Sequence, residues 1–542
     1  MEVISLSLPS TNKLVKSYTM GDIETADLFD YGIKDPDTYT KRIEDLKKRN
    51  FPRQKLVAYL KQFNEKYGFG SETFENISKL LDPSSVVVVG GQQAGLLTGP
   101  LYTIHKIISI IKLAKEQEES LGVPVVPVFW IAGEDHDFAE INHLHIKNKQ
   151  TIKKKIIEQR QMERSSVSSL IIDKSVCEKW IDDIFESFGE TAYTKDLIAK
   201  LQNHLNDSST YVDFFGFVIK ELFSNTGIVL LDSGSSGLRE IESDFFQEMI
   251  ERNELIHDSV VAAQTLLKEQ GYKLSIEMPI YSANLFYHYK NERLLLEYDK
   301  NSERFTNKSS SLELTKQELL QIAKEQPSLL SNNVVTRPLM QELLLPTLAF
   351  ISGPGEVAYW AELKKVFEAW EIKMPPIVPR VSITFLDRSI ETDMYDVNVS
   401  IEDVLLNSVE KIKESLIKEQ VNYDLDRLVA EAKNEVEQVH KRLREVALDI
   451  DSSLCPLLNK NSDYIQSQFD FISKTLEKRL LLRHQVEINR FNRIQSSLMP
   501  NNAPQERIWN IYYYLNKYGS DFINDVLELP IKVDGEHKVI KI

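Results

Sequence analysis

Val86-Val-Val-Val-Gly-Gly-Gln-Gln-Ala-Gly-Leu-Leu-Thr-Gly-Pro-Leu-Tyr-Thr-Ile-His105 decides the fold of this chain. Four consecutive valines predict a strand covered on both faces, as in a parallel sheet, because β-branched side chains fit the pleat and leave no polar stripe for water. Gly90, Gly91, Gly95 and Gly99 allow a sharp turn, and Pro100 suits the first helical position, where its missing N–H would be unpaired anyway. The following helix carries Leu101, Ile104, Ile107, Ile108 and Ile111 on one face, turns at Leu121-Gly-Val-Pro124, and leads into Val125-Val-Pro-Val-Phe-Trp-Ile-Ala132. Right-handed crossover makes the two strands parallel, so both deliver their loops to one edge of the sheet. The glycine loop has the grammar of an anion or nucleotide site at a helix start. Its spacing matches neither the dinucleotide fingerprint nor the P-loop, and a plain tight turn also fits it.

Working outward, Gly227-Ile-Val-Leu-Leu-Asp232 and Ser233-Gly-Ser-Ser-Gly237 repeat the order strand, small loop, helix and extend the sheet. Pro346-Thr-Leu-Ala-Phe-Ile-Ser-Gly-Pro-Gly-Glu356 repeats it again, and Pro376-Ile-Val-Pro-Arg-Val-Ser-Ile-Thr384 reads as a further strand whose prolines suit an edge. Residues 142–225 read as a helical, charged insertion whose Lys147, Lys149, Lys153, Lys154, Lys155, Arg160 and Arg164 form a solvated face. A second insertion, 272–330, alternates and breaks like a hairpin at Lys290-Asn-Glu. Glycine is absent from 387 to 518. Within that stretch Leu425, Val429, Ala432, Val436, Val439, Leu443, Val446 and Ile450 keep 4-3 spacing, the seam of a coiled coil that resumes at Ile465, Phe469, Ile472 and Leu476. The expected organisation is an α/β Rossmann-like core over 1–386 with both insertions, an α-helical antiparallel coiled coil over 387–500, and a segment 501–542 that packs on the core. The coiled coil is expected to dimerise, with an intramolecular hairpin as the alternative.

Bulk properties narrow the function. A chain of 542 residues buries large cores, and 81 acidic against 65 basic residues give a net charge of −16, which disfavours nucleic acid. Cys177 and Cys455 are too few for a disulfide framework or a cysteine-rich zinc site. With no basic leader and no apolar run near the ~18 residues that span a bilayer, a cytoplasmic protein with no membrane partner is expected.

Acid, base and ammonium-binding chemistry bunches at Glu134, Asp135, His136 and Asp137, in the loop after the second strand, although a loop-ordering hydrogen-bond cluster gives the same pattern. His143 and His145 add a loose histidine set without a specific zinc signature, so no metal is expected. His105, one turn inside the helix, is either a neutral acceptor or donor at the site or a satisfied core residue. Gln92, Gln93, Thr98 and Tyr102 are placed around the same pocket, with Glu356, Tyr359 and Trp360 opposite, the last more simply read as core. Arg337 and Arg380 are carboxylate or phosphate clamps, or else structural ion pairs. Trp509, Tyr512 and Tyr513 have the composition to stack a nucleotide base, or to pack the chain end onto the core.

Gly91-Gln-Gln-Ala-Gly-Leu-Leu-Thr-Gly-Pro-Leu-Tyr-Thr-Ile-His-Lys106, Phe129-Trp-Ile-Ala-Gly-Glu-Asp-His-Asp137, Val335-Thr-Arg-Pro338, Gly353-Pro-Gly-Glu-Val-Ala-Tyr-Trp360 and Val378-Pro-Arg380 together closely resemble the bacillithiol-synthesis cysteine-adding enzymes, in order and in chain length. The resemblance implies a Rossmann-like core with connecting-peptide insertions, a coiled coil used for homodimerisation, and the joining of cysteine to glucosaminyl malate by an amide bond. ATP with magnesium is then the expected activator. Gly91, Gln92, Gln93, Gly95, Thr98 and Gly99 would hold phosphates or malyl carboxylates with Arg337 or Arg380; Asp135 or Glu134 would orient the amine, and His136 would take its proton. Intact class I nucleotidyl-transferase signatures are absent. The competing expectation is a non-catalytic nucleotide- or metabolite-binding dimeric scaffold.

Overall fold

The structure is a computed structural model that describes residues 1–542 except 11, 23–25, 149–150, 160–164, 291, 310 and 421–423. It divides into two compact units, 1–385 with 505–542, and 386–504. At the centre of the first unit lies a parallel sheet of β1 (Val86–Gln92), β2 (Val125–Ile131), β3 (Val229–Asp232), β4 (Thr347–Ser352) and β5 (Ile377–Pro379), in the order β5-β4-β1-β2-β3. Its valines show why the run was readable. Val86 and Val88 enter one hydrophobic core and Val87 and Val89 the other, so both faces of β1 are dry.

Helix α1 (Tyr102–Leu121) joins β1 to β2 and ends at Gly122, whose φ of 65° is the left-handed stop that glycine adopts cheaply. The helix begins two residues later than Pro100. The β5 reading needs a larger correction. Pro376–Thr384 is not one strand: Ile377–Pro379 forms the sheet edge, and Ser382–Leu386 belongs to a separate sheet with Glu2–Leu6 and His537–Lys541.

The 142–225 insertion also differs from its helical reading. His143–Asn148 and Thr151–Ile156 form an antiparallel hairpin before three helices, carrying Lys147, Lys153, Lys154 and Lys155, while Lys149, Arg160 and Arg164 lie outside the described residues. Leu144 points inward at 2% exposure, and the lysine run obscures the two-residue period around it. In the second insertion Ser282–Tyr289 pairs antiparallel with Glu292–Asp299 across the expected turn, of which Asn291 lies outside the described residues. Arg304–Asn307, Glu313–Thr315 and Leu330–Asn332 complete that five-stranded sheet.

The second unit is helical and contains α2 (Leu425–Ile450) and α3 (Cys455–Arg483). Lys433 meets Asp470, Glu437 meets Ser462, His440 meets Asn461 and Arg444 meets Asn459, so the two helices run antiparallel. The apolar seam does not wholly face this partner. Val439, Leu443, Val446 and Ile450 are exposed, while His440, on the neighbouring face, is buried. Among the described residues no helix is long and apolar enough to cross a membrane.

Candidate functional site

Parallel strands put their following loops on one edge, and the order β5-β4-β1-β2-β3 places a topological switch point between β1 and β4, where such sheets open a crevice. The loops of β2 and β3 build one part of this rim. Asp135 Oδ2 accepts from the Gln93 amide at 2.7 Å, while its Oδ1 accepts from the His136 backbone N–H at 2.7 Å. His136 Nδ1 lies 3.1 Å from Arg293 Nη1, an arginine delivered by the inserted sheet. Arg293 is held by Ser331 Oγ at 3.0 Å, the Asn332 carbonyl at 2.6 Å and the Phe286 ring at 3.8 Å.

Glu134 is spent on architecture. Its Oε2 accepts from Arg239 and from the Asn332 N–H, and Arg239 also binds Glu242 at 2.6 Å, all in buried surroundings. Beside it, the Ser168 hydroxyl lies 2.8 and 3.0 Å from the two oxygens of Asp232, whose carboxyl burial pushes up to about 6 despite the Gly234 N–H and Ser168 bonds. A polar cavity of about 620 Å³ opens here, lined by Glu134, Ser166, Ser169, Gly234, His288 and Lys290 among others. The packing around its floor is exacting. A Cβ on Gly133 would stand 2.1 Å from Ser168 Oγ and 2.2 Å from Asp232 Oδ1. Gly133→Ala is expected to destabilise the protein by about 1–3 kcal/mol; a chemical-denaturation midpoint equal to that of the parent would contradict this packing.

On the other side of β1, Lys106 is 1% exposed and donates to Gly91 O at 2.6 Å, Gln92 Oε1 at 3.4 Å and Glu356 Oε2 at 2.5 Å. Burial pulls its ammonium below the usual lysine range, and the nearby Glu356 opposes this. The same Glu356 oxygen accepts from Gly353 N–H at 2.6 Å, closing the start of the helix Pro354–Trp360. Arg337 donates to Tyr359 OH at 2.7 Å and to Gln341 at 3.2 Å and is half-buried. Trp360 is core, at 0% exposure.

Several expected site residues are instead packed under the C-terminal segment. Arg380 binds both oxygens of Glu506 at 2.6 Å, and His105 Nδ1 lies 3.1 Å from Glu506 Oε2. Burial raises the Glu506 carboxyl, but Arg380 and His105 more than offset it and hold the group well below the usual range. Arg380 is therefore the structural ion pair rather than an open clamp, stacked near Tyr102 at 5.9 Å, and His105 is a fully buried core histidine. The stretch Gly95–Gly99 is likewise covered. Asn510 Nδ2 donates to Leu97 O at 2.7 Å and Gly99 O at 2.6 Å, and the Leu101 N–H at the helix start is taken by Trp509 O. Gly95 touches Gly99, and Thr98 is 1% exposed, so these residues shape the turn instead of cradling an anion. Trp509 stacks on Tyr513 at 5.5 Å and Tyr512 is buried against Phe185, so the faces proposed for a nucleotide base are used in packing.

The rim thus unites Gln93, Asp135, His136 and Arg293 on one side, and Gly91, Gln92, Lys106 and Glu356 on the other. Residues 1–381 match the family profile described as bacillithiol biosynthesis BshC, N-terminal Rossmann-like domain, and residues 383–542 match its C-terminal coiled-coil domain. The chain belongs to the bacillithiol biosynthesis BshC family. Relatives named "Putative cysteine ligase BshC" are 48% identical in Geobacillus sp. (strain WCH70), 45% in Geobacillus thermodenitrificans (strain NG80-2) and 44% in Bacillus cereus (strain AH187), each over 100% of both chains. In this BshC chain, residues 505–542 of the coiled-coil match fold with the first unit.

Sequence reading missed Lys106, Arg239, Arg293 and Glu506. Only Lys106 left a usable signal, standing one helical turn after Tyr102 on a helix that starts at the sheet edge.

Proposed function

We propose that this protein forms an amide between the carboxyl of cysteine and the amine of glucosaminyl malate, in the cytoplasm, with nucleotide-dependent activation of the carboxylate. The observation that carries this reading is the Gln93–Asp135–His136–Arg293 cluster on a sheet edge of the BshC family, in the same loop region as a serine-lined cavity. The cavity suits the hydroxyl-rich acceptor, with Lys290 as partner for a malyl carboxylate. Asp135 would hold the attacking amine and take its proton, which moves that role from the expected His136 because His136 Nδ1 already faces a guanidinium.

A carboxylate oxygen leaves poorly, and ATP with magnesium would supply the better leaving group. Its phosphates would be held by Arg337 and Gln92, since Lys106 and Arg380 are already committed to Glu356 and Glu506. Purified protein given cysteine, glucosaminyl malate and magnesium-ATP should yield the amide by mass, with stoichiometric AMP or ADP. Binding without product would favour the non-catalytic scaffold.

The exposed Val439, Leu443, Val446 and Ile450 support self-association through the second unit, since a solvated apolar stripe at coiled-coil spacing favours a second copy. Val446→Glu with Ile450→Glu should sediment as a monomer where the parent is a dimer. A double variant that still dimerises would contradict this assembly.

A further inference from the structure

Arg293 determines which nitrogen of His136 carries a proton. A guanidinium has N–H groups only and never accepts, so the 3.1 Å contact from Nη1 requires a lone pair on His136 Nδ1. Asp135 Oδ1 is 3.7 Å from the same nitrogen, too far to claim a proton from it. The arginine cannot swing away without breaking its bonds to Ser331 and Asn332 and its stacking on Phe286, and it is 6% exposed. Among the described residues Arg293, Asp135 and His288 stand beside His136, and Glu134 and Arg239 act on Arg293 in turn; Arg293 Nη1 lies 3.7 Å from Asp135 Oδ1, and His288 shares Ser331 Oγ with Arg293 at 3.0 Å.

We infer that Arg293 is a positioning residue that fixes His136 as the neutral imidazole protonated on Nε2, making His136 a hydrogen-bond donor to the acyl oxygen and not a base. This role rests on the amide-forming reading, whereas the tautomer itself does not. As the amine lone pair forms the C–N bond, the carbonyl π pair moves onto oxygen, where an N–H donor stabilises it. The pair returns as the C–O bond to the activating phosphoryl or adenylyl group breaks, and the amine proton passes to Asp135. A neutral donor suits this step because it binds the oxyanion without having to give up a proton.

The test is nitrogen NMR of the full-length protein labelled with 15N-histidine, with His136→Gln identifying the signal. At pH 7 the expected pattern is an unprotonated Nδ1 and a protonated Nε2, and Arg293→Met should abolish that preference. A proton on Nδ1, or an imidazolium, in the parent protein overturns the inference whether or not any variant folds. Turnover provides the second arm. The side-chain amide introduced by His136→Gln can replace an Nε2 donor but not a base, so this variant should retain at least about tenfold more activity than His136→Ala. Equal loss in the two, at the 10²–10⁴-fold expected for a missing base, overturns the donor role. Should the parent make no amide, the ligase reading fails, while the NMR result still decides the tautomer.

Discussion

Asp135→Asn should slow amide formation by about 10²–10⁴-fold while leaving the fold intact. Asparagine has nearly the same shape and keeps one oxygen to accept from Gln93 Nε2 or from the His136 N–H. It loses the charge that holds an ammonium and the basicity that takes its proton. The side chain is about one-third exposed, and although its charge faces the buried Arg293 at 3.7 Å, that guanidinium keeps Ser331, the Asn332 carbonyl and the nearby Glu134 charge, so the thermal midpoint should fall only modestly. The check is kcat and KM for both substrates beside a melting curve. Turnover equal to that of the parent would remove Asp135 from the chemistry.

The largest effect on stability is expected at Glu506. Replacing it with alanine leaves the Arg380 guanidinium buried without its counter-charge, which typically costs about 3–5 kcal/mol. It also removes the partner of His105 and loosens the segment whose Trp509 and Asn510 cover the Gly95–Leu101 turn. Chemical denaturation, with proteolysis of the chain end as a second probe, should show both consequences.

The same site fixes a direction with pH. Glu506 is depressed in the folded protein, so its contribution is complete above the ordinary value of 4.5 and is lost as pH falls below it. His105 is depressed from 6.5 chiefly by burial, so the unfolded chain takes up a proton first and stability begins to fall below about that pH. Asp232 and Glu242, raised to about 6 and about 7, act in the opposite sense, since their protonated forms favour the folded state. Comparing Glu506→Gln with the parent cancels those terms. The variant should be less stable at neutral pH, and the gap should narrow below 4.5; a gap independent of pH would contradict the ionised pair.

The central sheet was legible because its strands are continuous apolar runs, β1 above all, and both sheet faces are covered. The hairpin of His143–Asn148 with Thr151–Ile156 was not, since the consecutive Lys153, Lys154 and Lys155 occupy both faces of their strand and erase its two-residue period. The 4-3 seam announced a coiled coil, but which neighbour covers it depends on how α2 is rotated against α3, and periodicity alone does not set that rotation. The site divides similarly. Gln93 and the Glu134–His136 loop were found because each directly follows a strand. Lys106, Arg293 and Arg380 have their deciding partners 250, 157 and 126 residues away, beyond any local pattern. A buried ion pair and an open anion clamp call for the same arginine, so Arg380 could be sorted only once Glu506 was seen beside it.

Hydrogen exchange on adding glucosaminyl malate tests most directly whether these separate loops form one acceptor site. Protection should rise together in 92–93, 133–136, 165–169, 233–235 and 288–293, the loops and inserted strands around one sheet edge. Protection confined to 425–483, or absent from all of these loops at saturating ligand, would contradict a shared site there.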